Sequence, residues 1–455
     1  MSAPATITLP TASLPTAAVI LAAGMGTRMK SALPKVMHPI AGRPMIHHVT
    51  GAARASGADR LVVVLSPGLS AVADSLPGAE IAIQDPPLGT GHAVACALPA
   101  LDGFTGGVLV LFGDTPLVEV GTLLRLRAAL EAPGVAVAVL GFRPPVPGAY
   151  GRLVTGTDGG LEAIVEAREA SPEQLKIGLC NAGVMAIAGE HLARLVGRIG
   201  NDNAKKEYYL TDIVALARAD GLSAVVVEGA ADEVLGVNSR VELAEAEAIF
   251  QARLRRRHME AGVSFEDSAS VRLQADTVLG RDVVIGPQVV FGPGVTIGEE
   301  VRINAFCHIE GAKVAPKAII GPFARLRPGA QVGAGAHVGN FVELKNTVLG
   351  EGAKANHLSY LGDAEVGAGA NIGAGTITCN YDGFNKAKTT IGAGAFIGSN
   401  SALVAPVTVG DGAIIGAGSV VTEDVAADDL YIERARPVHK TGWAARFRAL
   451  MRKSR

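Results

Sequence analysis

The sequence predicts an α/β domain followed by an all-β domain: a Rossmann-like N-terminal part, a linker helix, and a left-handed parallel β-helix of hexapeptide repeats. Three observations predict it. Buried-strand and helix patterns alternate up to about residue 238. A glycine-rich loop follows the first apolar run. From about Asp276 to Val425, aliphatic residues recur every six positions: Ile285, Phe291, Ile297, Ile303, Ile309, then Ile320 to Leu344, then Ile391 to Val421. A beat of six matches neither the helix period of 3.6 nor the strand period of 2. It fits a solenoid in which each hexapeptide makes one short face of a coil. Gly and Asn suit the corners, where left-handed backbone costs them least.

Taken in order, residues 1–16 are rich in Ala, Thr, Ser and Pro and are expected to form a flexible extension. Residues 17–238 hold the α/β domain. Ala18–Leu21, Leu61–Leu65, Glu80–Gln84 and Val108–Phe112 have the short apolar runs of buried strands. Met45–Ser56, Gly91–Leu98 and Leu117–Leu130 carry helical patterns. Such alternation implies a parallel sheet covered on both faces, with ligands beyond the carboxyl ends of its strands. Residues 239–261 read as one helix, opened by a capping box of Ser239 and Glu242. Its run Arg253, Arg255, Arg256, Arg257 is expected to be a solvated face. Residues 262–455 form the β-helix and a tail, whose basic end (Arg446, Arg448, Arg452, Lys453, Arg455) either stays disordered or joins a ligand site. The segment Cys379–Lys388 interrupts the beat, and a loop that breaks a solenoid is a natural place for function.

Composition narrows the classes. At 455 residues and 49% hydrophobic content, the chain can bury two substantial cores. A net charge near −2 gives no reason to expect nucleic acid or an anionic membrane as partner. The cysteines at 96, 180, 307 and 379 have neither zinc spacing nor a disulfide framework, so a cytoplasmic location is expected. The apolar run Ala17–Ala23 is too short to span a membrane.

The loop after the first strand reads Leu21-Ala-Ala-Gly-Met-Gly-Thr-Arg-Met-Lys-Ser-Ala-Leu-Pro-Lys35. Gly24 and Gly26 let backbone N–H groups approach phosphate oxygens. Arg28 and Lys35 add cationic donors for charge on a transferring phosphoryl group. It is not a Walker A loop, and Met29 stands where a dinucleotide fingerprint needs its third glycine. On this string, with Leu88-Gly-Thr-Gly-His92, Phe112-Gly-Asp114, Tyr150-Gly-Arg152, Asn181-Ala-Gly183 and Gly236-Val-Asn238, the chain resembles the sugar-1-phosphate nucleotidylyltransferases. Among them it is similar to the bifunctional N-acetylglucosamine-1-phosphate uridylyltransferase/glucosamine-1-phosphate acetyltransferase family, over about residues 17–443. The resemblance implies that Gln84, Gly89 and Thr90 read the uracil of UTP, and that Leu21, Ala22 and Gly24 line the nucleotide site. It implies Mg²⁺ on Asp114 and Asn238, N-acetylglucosamine-1-phosphate beside Gly151, Glu166 and Asn181, and Arg28 and Lys35 on the phosphates. The family often has Tyr where this chain has Phe112.

Polar residues out of keeping with the six-residue beat mark a second candidate site: Arg327, Lys345, His357, Tyr360, Asn371, Asn380, Tyr381 and Lys386. Arg327 and Lys345 are 18 residues apart, one expected coil, so they can converge on one anion. A β-helix can also be an inert scaffold; this polar group argues for a site. The resemblance implies an acetyltransferase here. Arg327, Lys345, Tyr360, Asn371 and Lys386 would hold glucosamine-1-phosphate, with His357 as general base. Asn380 and Tyr381 would position His357, the substrate and the acetyl group of acetyl-CoA. Ala374, Ser399, Ala417 and Arg434 would complete the acetyl-CoA site. The resemblance also implies a homotrimer with shared acetyl sites.

Overall fold

The computed structural model describes residues 14–203 and 205–453. Most of the expected extension, residues 1–13, lies outside them; Thr16 already belongs to the first strand and is buried. The chain divides into two compact units, Met1–Ala252 and Arg253–Arg455.

The first unit is built on a sheet ordered Ser223–Glu228, Val135–Phe142, Cys180–Ala188, Gly107–Phe112, Thr16–Leu21, Ala58–Leu65, Glu80–Ile83. The four strands expected from the sequence are all present, as are helices Met45–Ala55, Thr90–Ala97 and Val120–Ala129. Side chains of Thr16–Leu21 alternate between two apolar clusters, Ala17, Val19 and Leu21 on one face and Ala18 and Ile20 on the other. Burial on both faces explains why the strand is apolar throughout. Each such Val, Ile or Leu contributes about 1.5–3 kcal/mol.

The sheet is not wholly parallel, as alternation had implied. Cys180–Ala188 runs antiparallel to both of its neighbours. A parallel neighbour would need a crossover helix. The chain between Phe142 and Cys180 instead makes the hairpin Arg152–Thr155/Leu161–Val165, with only the short helix Pro172–Leu175 after it. On the parallel side, Leu21 lies opposite Phe112, and Gly113 N–H donates to Leu21 O at 2.9 Å. The glycine loop and Asp114 therefore leave the sheet side by side.

Helix Arg240–Glu260 closes the first unit and opens the second. Its cap differs from the expected box. Ser239 Oγ accepts from Glu242 N–H at 3.3 Å, but the Glu242 carboxylate reaches back past Ser239 and accepts from Asn238 N–H at 2.8 Å. The capping carboxylate thus fixes the backbone of a candidate site residue.

The second unit is the β-helix. Pairs such as Val284–Ile285, Val290–Phe291 and Thr296–Ile297 form its three faces, each stacked in parallel on the next coil. The aliphatic positions of the beat are buried inside the prism. The coil is not uniformly 18 residues. Ile319 pairs with His337 at an offset of 18, but His337 pairs with Lys354 and Lys354 with Asn371 at offsets of 17. The missing residue falls at the corner between the second and third faces, where Leu344–Leu349 and Leu361–Val366 are steps of five. There Glu343–Leu349 and Tyr360–Val366 run through the corner as continuous strands, with Asn346 (φ 46°) and Asp363 (φ 47°) left-handed.

The corner between the first and second faces carries another regularity. Phe306, Phe323 and Phe341 occupy left-handed positions (φ 61°, 56° and 57°) on successive coils. Their exposed rings stack at 4.8 and 5.1 Å, close to the coil repeat. Left-handed backbone costs an L-residue about 1–2 kcal/mol; ring stacking offsets part of that, at about 0.5–1.5 kcal/mol per pair. The basic tail is ordered as helix Trp443–Lys453; Arg455 lies outside the described residues.

Candidate active sites

A cleft of about 630 Å³ opens at the carboxyl ends of the central strands. Leu21, Ala22, Gly24, Lys35, Gln84, Gly89, Thr90, Asp114 and Glu166 all line it, as the sequence led one to expect. Gly26 has φ 62°, and a Cβ there would stand 2.5 Å from Lys35 Cβ, so the loop can fold back only on glycine. That fold delivers Lys35, which opens the turn Lys35–Met37 behind Pro34. Its ammonium contacts the Asp114 carboxylate and lies 3.2 Å from Asn238 Oδ1. Arg28 differs from expectation: it sits exposed on the short turn Thr27–Met29 and is not among the lining residues.

Gln84 is buried. Its Nε2 donates to Gly89 O at 2.9 Å and faces His92 Nδ1 at 3.3 Å. Thr90 Oγ1 accepts from Leu210 N–H at 3.0 Å. On the far wall, burial pushes the Glu166 carboxyl above the usual carboxylate range, with Glu169 and Asp212 adding to the rise and Lys205 opposing it. Asp212 is raised by burial and by Glu169. This acidic wall was not foreseen from the sequence, where Glu166 alone had been singled out. Gly151 and Asn181 meet each other, Asn181 N–H donating to Gly151 O at 2.8 Å, but neither lines the cleft.

The oxygens of Asp114 and Asn238 converge on one positive charge, the Lys35 ammonium. Among the described residues no group of three or more His, Cys, Asp or Glu side chains gathers for a metal. One carboxylate and one amide oxygen fit an ion that keeps most of its waters, as Mg²⁺ does.

On the β-helix the candidate residues divide between two corners. At the corner of the second and third faces, Arg327 donates to Glu343 at 2.8 Å, and Lys345 Nζ lies 4.0 Å from Asp363. Burial opposes the Asp363 charge, but hydrogen bonds from Asn346 and Asn380, with Lys345 and Lys386, outweigh it and hold the carboxyl below its usual range. Lys386 arrives on the loop Cys379–Lys388, where Asp382 Oδ1 accepts from the N–H groups of Phe384 (2.8 Å) and Asn385 (2.6 Å). A Cβ on Gly362 would fall 2.4 Å from the Tyr360 hydroxyl oxygen, which locates that hydroxyl over the same corner.

His357 lies at the other corner, on the strand Lys354–His357. Asn340 pairs with it in register, and Asn340 Oδ1 is 2.8 Å from His357 Nδ1. That contact makes Nδ1 the protonated nitrogen and leaves the Nε2 lone pair free. The offsets of 17, 25 and 18 residues then stack His357, Ala374, Ser399 and Ala417 in one column down this corner. Arg434 ends the column, its Cδ 4.0 Å from where a Gly418 Cβ would stand. Asn371 is on the first face. Asn380 and Tyr381 do not reach His357 as expected: Asn380 bonds Asp363, and the Tyr381 hydroxyl donates to Gly383 O at 2.5 Å. The sequence reading missed Asn340, Glu343 and Asp363. For Asn340 beside His357, and for Asp363 beside Asn346 and Asn380, the signal was a spacing of 17 rather than 18 residues, hidden by an assumed uniform coil.

The family described as MobA-like NTP transferase domain matches residues 18–175, and the bacterial transferase hexapeptide (six repeats) matches 276–311 and 388–423. Among curated relatives, the bifunctional protein GlmU of Rhodospirillum rubrum is 62% identical, covering 96% of this chain and 98% of its own length. The protein of the same name from Paramagnetospirillum magneticum is 58% identical over the same shares. That from Azorhizobium caulinodans is 56% identical, over 95% and 97%.

Proposed function

This chain belongs to the bifunctional GlmU family, and from that premise we propose how its two units divide the chemistry. The chain is a bifunctional transferase, a glucosamine-1-phosphate acetyltransferase and an N-acetylglucosamine-1-phosphate uridylyltransferase. The single observation that carries the division is that each unit has polar groups of its own, Lys35–Asp114–Asn238 in one, and in the other Arg327 and Lys345 at one corner with His357 at the next.

In the first unit, UTP lies along the glycine loop with its base against Gln84, Gly89 and Thr90. The sugar phosphate attacks the α-phosphorus and pyrophosphate leaves. Such a transfer depends on positioning and charge neutralisation rather than on a protein nucleophile. Mg²⁺ on Asp114 and Asn238 would supply part of that neutralisation. The Lys35 ammonium supplies the rest, and Glu166 accepts hydrogen bonds from the sugar.

In the second unit, Arg327, Lys345 and Lys386 bind the phosphate of glucosamine-1-phosphate. Glu343 and Asp363 pair with the first two of these cations and position them. His357 Nε2 takes a proton from the amine as it attacks the acetyl thioester, and Asn340 keeps the ring in that tautomer. Acetyl-CoA runs down the column Ala374, Ser399, Ala417, Arg434. The base and the phosphate cluster sit at opposite edges of one face in a single chain. That separation supports a homotrimer in which neighbouring copies complete each acetyl site. No helix among the described residues is long and apolar enough to cross a membrane, and scattered free cysteines favour the cytoplasm.

The test is to mix the protein with glucosamine-1-phosphate and acetyl-CoA, without UTP, and to follow free thiol. Release that depends on the sugar phosphate supports this reading. Its absence, with UTP still consumed on N-acetylglucosamine-1-phosphate, would return the β-helix to a scaffold.

A further inference from the structure

Uracil and cytosine differ at N3: uracil carries an N–H donor there, cytosine a bare acceptor. A glutamine amide can meet either by turning over, because its O and NH₂ ends are nearly equal in shape. What Gln84 offers a base therefore depends on what holds its other atoms.

Both of its N–H groups are taken. One donates to the Gly89 carbonyl at 2.9 Å, which can only accept. The other faces His92 Nδ1 at 3.3 Å. Nδ1 accepts when the imidazole proton sits on Nε2, and Nε2 lies 3.8 Å from Cys96 Sγ, a weak acceptor. His92 and Cys96 are one turn apart on helix Thr90–Ala97, so they share a face. Gln84 Oε1 has no hydrogen bond among the described residues, although the residue is buried.

We infer that His92 is a positioning residue for base selection: it locks the Gln84 amide with its oxygen toward the base, so the cleft accepts the N3–H of uracil and rejects cytosine. Thr90 complements the lock. Its Oγ1 already accepts from Leu210 N–H, which leaves its own O–H to donate to a base carbonyl. The inference rests on the uridylyl-transfer reading of this cleft.

The experiment compares kcat/KM for UTP and CTP, with N-acetylglucosamine-1-phosphate, in the full chain and in His92→Phe and His92→Asn. Phenylalanine keeps the ring and removes the acceptor. The UTP-to-CTP ratio should fall about three- to ten-fold, the worth of one hydrogen bond, with the change mainly in KM. In His92→Asn, Oδ1 replaces Nδ1 as acceptor, and most of the preference should return. The same folded molecules turn over both nucleotides, so the ratio is independent of how much of a variant folds. An unchanged ratio in His92→Phe overturns the inference. So does an Asn variant as unselective as the Phe variant, because ring packing rather than the acceptor would then be responsible. Failure of the underlying reading is distinct: the unaltered chain would not consume UTP at all.

Discussion

Lys35 bridges Asp114 and Asn238, residues drawn from distant parts of the chain, and this small ionic knot is where the first activity is most exposed to mutation. Asp114→Ala should abolish uridylyl transfer and spare acetylation, while His357→Ala should lower acetylation about 10²-fold or more, as loss of a general base does, and spare uridylyl transfer. Parallel rate assays would detect a breach of either half. Glu166 gives a pH prediction. Its carboxyl, raised by burial, Glu169 and Asp212, accepts most strongly from sugar hydroxyls when ionised, because charge-assisted hydrogen bonds are the stronger ones. Acidification protonates it at a higher pH than it would a solvent-exposed glutamate. KM for N-acetylglucosamine-1-phosphate should therefore rise as pH falls, measured from roughly pH 8 to pH 5, and Glu166→Gln should lose that component while keeping the substrate's own titration. A parallel course in both proteins would exclude Glu166 as the cause. At this scale the sequence announced the cations and the histidine through their misfit with an aliphatic beat. It did not announce Asn340 or Asp363, because a one-residue shortening of the coil decides which residue lies beside which.

Among the elements, the glycine loop and the β-helix strands were legible because each is a local pattern: apolar run, turn residues, period. The antiparallel strand Cys180–Ala188 was not, since strand direction depends on what the intervening chain can build, and a hairpin there replaced the crossover helix. The capping box was visible, but not the extra reach of Glu242 to Asn238. The β-helix corners are tight enough to predict a cost. A Cβ on Gly339 would stand 1.9 Å from Asn356 O, backbone that cannot step aside. Gly339→Ala should destabilise the second unit by at least the ~1–3 kcal/mol typical of overpacking, lowering its thermal midpoint. It should also reduce acetylation, since Asn340 and His357 follow Gly339 and Asn356 directly. An unaltered melting curve would mean the coils separate more readily than their stacking implies.

The whole molecule joins an α/β unit that gathers its site within one chain to a solenoid that spreads its site across a face. Co-expression of His357→Ala with Lys345→Ala should therefore restore part of the acetylation that each variant alone has lost, through mixed oligomers carrying one intact pairing. Activity no greater than the sum of the two would mean that each chain holds a complete site. The two-part plan was legible from the change of period near residue 276, whereas the division of the second site between corners needed the register. The three-faced coil also limits which changes of length this domain can accept. Inserting six residues adds one face and turns everything downstream by a third of a revolution, carrying each buried side chain to a different wall. Inserting about 18 adds a whole turn and leaves downstream orientation intact. The stretch Cys379–Lys388 escapes this arithmetic because it leaves the prism at the end of the second face and re-enters at the start of the third, so the coils beyond it keep their register. Length variation in such a chain should come either in whole turns or at that excursion, much as a spiral stair can gain a full circuit or a landing but not a single odd step.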